Sequence, residues 1–173
     1  VIMPNGIDLY DYTNLLKRGE FREKYDIDPE TKAVLYLGRL HKSKGIDLLI
    51  EAYAEVVKQI EDSVLLIVGP DGGFGDRLKK RSKKLNVDDK VIFTDAVDEL
   101  DKRRALIDSD VFVTPRFYGF PITFCEACVC GLPIITSYAG DYLDWIDNRV
   151  GYVLNYDPES FCTSIVNLLG NKK

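Results

Sequence analysis

Six short apolar runs recur along the chain, at residues 34–37, 64–68, 91–93, 111–113, 134–136 and 152–154. Most are rich in β-branched residues, and each is too short for a helix and largely apolar at successive positions. That pattern suits strands buried on both faces. Amphipathic stretches separate them, at 46–60, 76–85, 98–108, 123–130, 141–146 and 159–169. In the first of these, Leu48, Leu49, Ala52, Tyr53, Val56, Val57 and Ile60 make a helical stripe. Strand and helix alternating in this way predict an α/β fold, a doubly wound parallel sheet of about six strands with right-handed crossovers and helices on both faces. Ligands of such sheets bind beyond the carboxyl ends of the strands, so the loops there are the places to inspect.

The length of 173 residues suits one well-cored domain, read as 1–173. A net charge of −5 argues against nucleic acid as the partner. No apolar run reaches the roughly 20 residues of a membrane span. No charged-then-apolar leader opens the sequence, which points to the cytoplasm. The chain begins at Val1 inside an apolar stretch and stops at Lys173 just after an apolar helix, as a piece of a longer protein does. Cys125, Cys128 and Cys130 lie close together without a second ligand pair, and the one histidine, His41, is distant. Structural thiols fit better than zinc, and no metal is expected.

Four strand ends carry candidate chemistry. After the first strand, "GRLHKSKG" sets Arg39 and Lys44 in a loop leading into a helix, with Gly45 at the turn. Two cations beside a helix N-terminus make a receptor for a diphosphate, or else a solvated basic loop. After the second, "VGPDGGFG" lacks the lysine of a P-loop and reads as a surface turn. After the fourth, "PRFYGFPITFCEACVCG" makes a loop and then a helix from Ile122 or Thr123, whose free backbone N–H groups suit a phosphate. Glu126 lies one turn inside on an otherwise apolar helix, where two sugar hydroxyls would satisfy it. After the fifth, Gly140 offers exposed backbone, and Asp141 and Asp144 read as helix-start acids. The basic run Arg77, Lys79, Lys80, Arg81, Lys83 and Lys84 reads as the wet face of a helix or a contact for an anionic membrane.

Together these segments resemble the C-terminal, donor-binding domain of GT-B glycosyltransferases, a Rossmann-like domain, and in particular glycosyltransferase family 4. "PNGID", "GRLHKSKGIDLLIEA", "LLIVGPDG", "VIFTDAV", "DSDVFVTPRFYGF" and "EACVCGLPIITSYAGD" follow in the family's order. The resemblance implies that Arg39 and Lys44 contact the donor's diphosphate as the catalytic cations. It implies that Glu126, second acid of the E-x7-E motif, holds the ribose. Ile122 and Thr123 would face the phosphates through their backbone, and Val97 would line the base. Gly38, Gly119, Phe120 and Pro121 would complete the donor site.

The sequence departs from the family at four places. Tyr118 stands where the first acid of E-x7-E belongs, Pro121 replaces a glycine, Asp141 stands where a second glycine is common, and Leu143 and Asp144 replace Pro-Glu. The nucleotide half of the site is therefore intact and the sugar half altered. The resemblance implies a retaining, metal-independent hexosyltransferase (EC 2.4) of polysaccharide biosynthesis, mannosyl by preference. It would use GDP-mannose, with a UDP-sugar as rival, and no cofactor. A glycan or lipid-linked acceptor would bind through an N-terminal domain absent here, so the fragment alone would be inactive. The full-length enzyme would lie in the cytoplasm, touching the inner face of the membrane peripherally. The alternatives are a nucleotide-sugar-binding module that has lost catalysis, and an unrelated Rossmann-like protein-interaction domain.

Overall fold

The computed structural model describes residues 6–9, 12, 17–119, 121–138 and 143–170. The elements in chain order are α1 (Glu20–Lys24), β1 (Lys32–Leu37), α2 (Ile46–Val56), β2 (Ser63–Val68), α3 (Gly75–Lys84), β3 (Val91–Phe93), α4 (Glu99–Asp108), β4 (Val111–Thr114), α5 (Ile122–Val129), β5 (Ile134–Ser137), β6 (Gly151–Leu154) and α6 (Pro158–Gly170). The six strands form one sheet, parallel throughout, in the order β3-β2-β1-β4-β5-β6. All six apolar runs are strands, as their burial demands.

Alternation along β1 shows how the sheet is covered. Val34 and Tyr36 enter a core shared with Leu49, Tyr53, Leu78, Phe161 and Ile165 of α2, α3 and α6. Ala33, Leu35 and Leu37 enter the opposite core with Phe21, Leu106, Phe124 and Ile146. Two faces of one strand thus feed two cores, which is why the run reads as continuously apolar.

The order reverses direction between β1 and β4. These strands pair over only two positions, Val34 with Val111 and Leu35 with Phe112. Beyond them the chain leaves β1 to one side and β4 to the other. This is the switch point at which ligands of doubly wound sheets sit. Where the β4–β5 ladder ends, side chains continue it: Thr136 Oγ1 donates to Thr114 O at 2.8 Å and Ser137 Oγ to Pro115 O at 2.6 Å. These bonds hold the start of the β4 loop in place.

Three expectations need correcting. The stripe over 46–60 outlasts its helix, which ends at Val56; Val57 and Ile60 still pack on the same core from a turn. The expected helix at 141–146 is not one. Residues 141 and 142 lie outside the described set, and Asp144–Ile146 form a turn in which Ile146 N bonds Leu143 O at 2.8 Å. So short a stretch cannot repay helix nucleation, and it instead buries Leu143 and Ile146 directly. The helix α1 was not expected, because EFREK offers only Phe21 to a core. It is held from outside. Asp108, at the end of α4, accepts hydrogen bonds from Gly19 N (2.5 Å), Phe21 N (2.7 Å) and Arg22 N (3.1 Å). Buried Arg22 answers by donating to Asp108 O, Asp28 O and Thr31 O.

Candidate functional site

The loop after β1 is built to a fixed shape. Buried Tyr36 donates its hydroxyl to Arg39 O at 3.1 Å. Leu40 N donates to Pro70 O and Gly72 N to Leu40 O, each at 2.9 Å, so the loops after β1 and β2 are laced together. A Cβ on Gly69 would sit 2.2 Å from Gly38 O, so the glycines of "VGPDGGFG" serve this close packing. His41 accepts the Ser43 N–H at 3.3 Å and caps a turn of 3-10 helix, Lys42–Lys44. It is a structural residue of the loop. Gly45 then adopts φ 71°, and a Cβ there would lie 2.6 Å from the Tyr156 hydroxyl. Only glycine makes this turn into α2.

The loop after β4 meets that segment. Arg116 N donates to Lys44 O at 3.2 Å, across the switch point. The Arg116 guanidinium stacks 3.8 Å from the centre of the Tyr156 ring. The Lys44 ammonium lies 5.5 Å from the centre of the Tyr118 ring, which is exposed. Arg39 is exposed and Lys44 half-buried, and among the described residues neither forms an ion pair. Among the described residues no carboxylate neutralises either charge.

The helix starts agree. Carboxylates cap α3, α4 and α6: Asp71 accepts from Gly75 N at 2.9 Å, Asp98 from Asp101 N at 2.8 Å, and Asp157 from Ser160 N at 2.8 Å. The two helices flanking the switch point, α2 and α5, have no side-chain cap. Asp47 lies in the first turn of α2, whereas the first turn of α5 holds no acid. An uncapped amino end with its partial positive charge attracts an anion. Pro121 occupies the position before α5 in extended backbone, Ile122 is 43% exposed, and Thr123 is half-buried. Gly119 takes φ 67° in the loop, and Phe120 lies outside the described residues, as do Gly140 and Asp141. Val97 is half-buried against the same core as Phe124.

Glu126 is 5% exposed and already engaged. Its Oε1 accepts hydrogen bonds from the Tyr12 hydroxyl at 2.7 Å and the Lys102 ammonium at 2.8 Å. Lys102 also reaches Glu99 Oε2 at 2.6 Å. Burial works against the Lys102 charge, but the bonds to Glu126 and Glu99 outweigh it and hold its pKa above the ordinary lysine value. Burial, and then the Glu126 charge, push the Cys130 thiol up to about 11. Burial raises Cys125 and Cys128 too, which disfavours the reactive thiolate form. Among the described residues no cluster of three or more His, Cys, Asp or Glu could hold a metal ion. Lys102, Tyr12, Arg116 and Tyr156 were not foreseen, because nothing local in the sequence announces contacts that span the fold.

A cavity of about 1120 Å³ lies at the other end of the sheet, lined by Thr31, Lys32, Pro133, Val150 and Leu169 among others. It borders the amino ends of the strands, away from Arg39 and Glu126. Size alone does not make it the functional site, since ligands of doubly wound sheets bind at the carboxyl ends, where Arg39, Lys44 and the uncapped helix starts lie.

The fold is a doubly wound domain whose switch point carries Arg39, Lys44 and the uncapped start of α5. The family profile described as "Glycosyl transferases group 1" matches residues 17–173, and the chain belongs to that family. The GDP-mannose-dependent alpha-(1-6)-phosphatidylinositol monomannoside mannosyltransferase of Mycolicibacterium smegmatis is 29% identical over 184 residues, covering 99% of this chain and 47% of that protein. Among solved structures, WaaG, a glycosyltransferase involved in lipopolysaccharide biosynthesis, matches with a TM-score of 0.85 at 24% identity, covering 99% of this chain and 47% of that one. The C-terminal domain of the glycosyl transferase group 1 protein LpcC from Francisella tularensis matches with a TM-score of 0.81 at 20% identity, covering 96% and 89%. The fold is that of the GT-B C-terminal domain. The chain spans about half the length of the curated relatives it matches. The reading as an unrelated interaction domain is thereby overturned.

Proposed function

We propose that this chain is the donor-binding domain of a retaining, metal-independent glycosyltransferase (EC 2.4) that takes a nucleotide diphosphate sugar, GDP-mannose by preference. The supporting observation is the pairing of uncompensated Arg39 and Lys44 with the uncapped start of α5, tied across the switch point by Arg116 N to Lys44 O. In this reading the diphosphate lies between them. The two cations and the helix end stabilise the charge that grows on the departing nucleotide, the task a metal ion performs in other transferases. Glu126 holds the pentose, and the loop of Val97 borders the base. Tyr118 meets the transferred sugar with a hydroxyl where the family presents an acid. A glycan or lipid-linked acceptor binds to a further, N-terminal domain, so the chain alone binds donor without turning it over. The whole enzyme works in the cytoplasm at the inner face of the membrane, in polysaccharide assembly.

The preference for GDP-mannose rests on the relative from Mycolicibacterium smegmatis. Titration with GDP, UDP and ADP, followed by GDP-mannose and UDP-glucose, tests it. Ligand at 100 times its Kd stabilises the native state by about 2.7 kcal/mol, an easily read rise in Tm. No stabilisation by any nucleotide at millimolar concentration sinks the reading. Tyr118 favours a second reading, a module that binds the donor without catalysis. Turnover by the full-length protein, compared with its Tyr118→Glu variant, separates the two: activity with the tyrosine in place eliminates the inactive module.

A further inference from the structure

Glu126 is the one acid on α5, and both of its hydrogen bonds fall on the same oxygen. Tyr12 and Lys102 bind Oε1, while among the described residues Oε2 accepts no hydrogen bond. The Lys102 side chain is 20% exposed and is pinned from the solvent side by Glu99, whose own side chain is 73% exposed. The ammonium is thus fixed by two carboxylates, one outside and one inside. With Oε1 held by Lys102 and Tyr12, the rotation of the Glu126 carboxyl plane is set.

Lys102 belongs to α4, whose first turn is fastened by Asp98, the residue after Val97. The ion pair therefore joins the loop of Val97 to the helix that opens at the switch point. Two separate connections of the sheet, one after β3 and one after β4, are locked to each other at Glu126.

We propose that Lys102 is a positioning residue of the nucleotide site, holding Glu126 by Oε1 so that Oε2 faces the pentose hydroxyls. This rests on the reading of the switch point as a donor site. Tyr12 supports the same oxygen as a weaker, uncharged anchor.

The test compares ribose with 2′-deoxyribose in the ligand. Calorimetric titration of the protein with UDP, GDP and their 2′-deoxy counterparts should show the ribonucleotide bound about tenfold or more tightly, the usual worth of a hydrogen bond to a charged group. Lys102→Met should bring that preference within about threefold, mainly by weakening the ribonucleotide. Lys102→Arg, which keeps the charge and the bridging donors, should retain most of it, and Tyr12→Phe should lower it less than Lys102→Met does. A purely structural ion pair would lower Tm or weaken both ligands equally, leaving the preference intact; that result overturns the proposal. Should the methionine variant fold poorly, Lys102→Gln gives the same comparison with a neutral donor of similar length. Binding without any ribose preference in the unmodified protein removes Glu126 from the pentose and defeats the inference, while the diphosphate reading stands. Absence of nucleotide binding defeats both.

Discussion

Lys44 is held by three constraints that do not neutralise it. Its carbonyl takes the Arg116 N–H, its amide donates to His41 O, and its ammonium lies near the face of Tyr118. A cation–π contact at an exposed site is worth about 0.5–1 kcal/mol, enough to bias a side chain without cancelling its charge. A glutamate at position 118 would instead offer Lys44 a competing carboxylate. For Arg39 and Lys44 the expectation follows from exposure and charge. Alanine at either should leave Tm within a degree or two, because neither supports the core. It should weaken nucleoside diphosphate binding roughly 10- to 100-fold, the loss of charge-assisted hydrogen bonds. Thermal unfolding and titration on the same samples check both halves, and a large Tm loss with unchanged affinity would reverse the assignment. Gly45→Ala should behave in the opposite way. It forces an L side chain into a left-handed backbone and against the Tyr156 hydroxyl, at a cost of order 1–3 kcal/mol. Tm and affinity should fall together, because the turn into α2 carries Lys44.

Among the elements, the strands were legible and the contacts between helices were not. A run such as 64–68 is apolar at every position because β2 is covered on both faces, a fact written locally in the sequence. The cations of the β1 loop and the acid on α5 were legible too, as residue types at strand ends. What sequence spacing cannot carry is which helix supplies a partner. Lys102 and Glu126 sit on different helices, and Tyr12 precedes them both by most of the domain. Glu126 read alone is therefore an acid awaiting a ligand, whereas in the fold one of its oxygens is already taken. The same limitation hid α1, whose start is capped by Asp108 from α4. That arrangement predicts a large effect from a small change. Asp108→Ala strands buried N–H groups at residues 21 and 22, and should cost at least about 2 kcal/mol. For a chain of this size that is a Tm lower by roughly 4–8 °C. Hydrogen exchange should show protection lost first at 20–24. A variant as stable as the parent would mean that α1 is held by Phe21 packing alone.

For the molecule as a whole, the charged and buried titrating groups set limits on the pH range of stability at both ends. On the acid side, the Lys24 ammonium, with help from Arg104 and against some burial, holds the Asp101 carboxyl below the usual carboxylate range. Backbone N–H groups at helix starts do the same for Asp71 and Asp157. A folded pKa below the unfolded one means that the unfolded chain binds more protons in between. The stability these acids contribute is complete above the ordinary aspartate pKa of about 3.9 and is lost as pH falls through the folded values. On the alkaline side, burial raises Tyr36 and Tyr53, and Lys102 is raised by its two carboxylates. Their contribution is complete below the unfolded pKa of about 10 and is lost as pH rises through the folded values. Tm should therefore be nearly flat between about pH 5 and 9 and fall on both sides. Asp101→Asn tests the assignment directly. It should lower Tm at neutral pH, where the carboxylate is paired, and that deficit should shrink as pH falls below the ordinary aspartate pKa of about 3.9 and vanish only once the folded acid is protonated as well. Tyr53→Phe should flatten the alkaline fall and leave the acid one untouched. A deficit in Asp101→Asn that persists unchanged into acid would show that Asp101 contributes through packing, and that the Lys24 pair carries no part of the pH dependence.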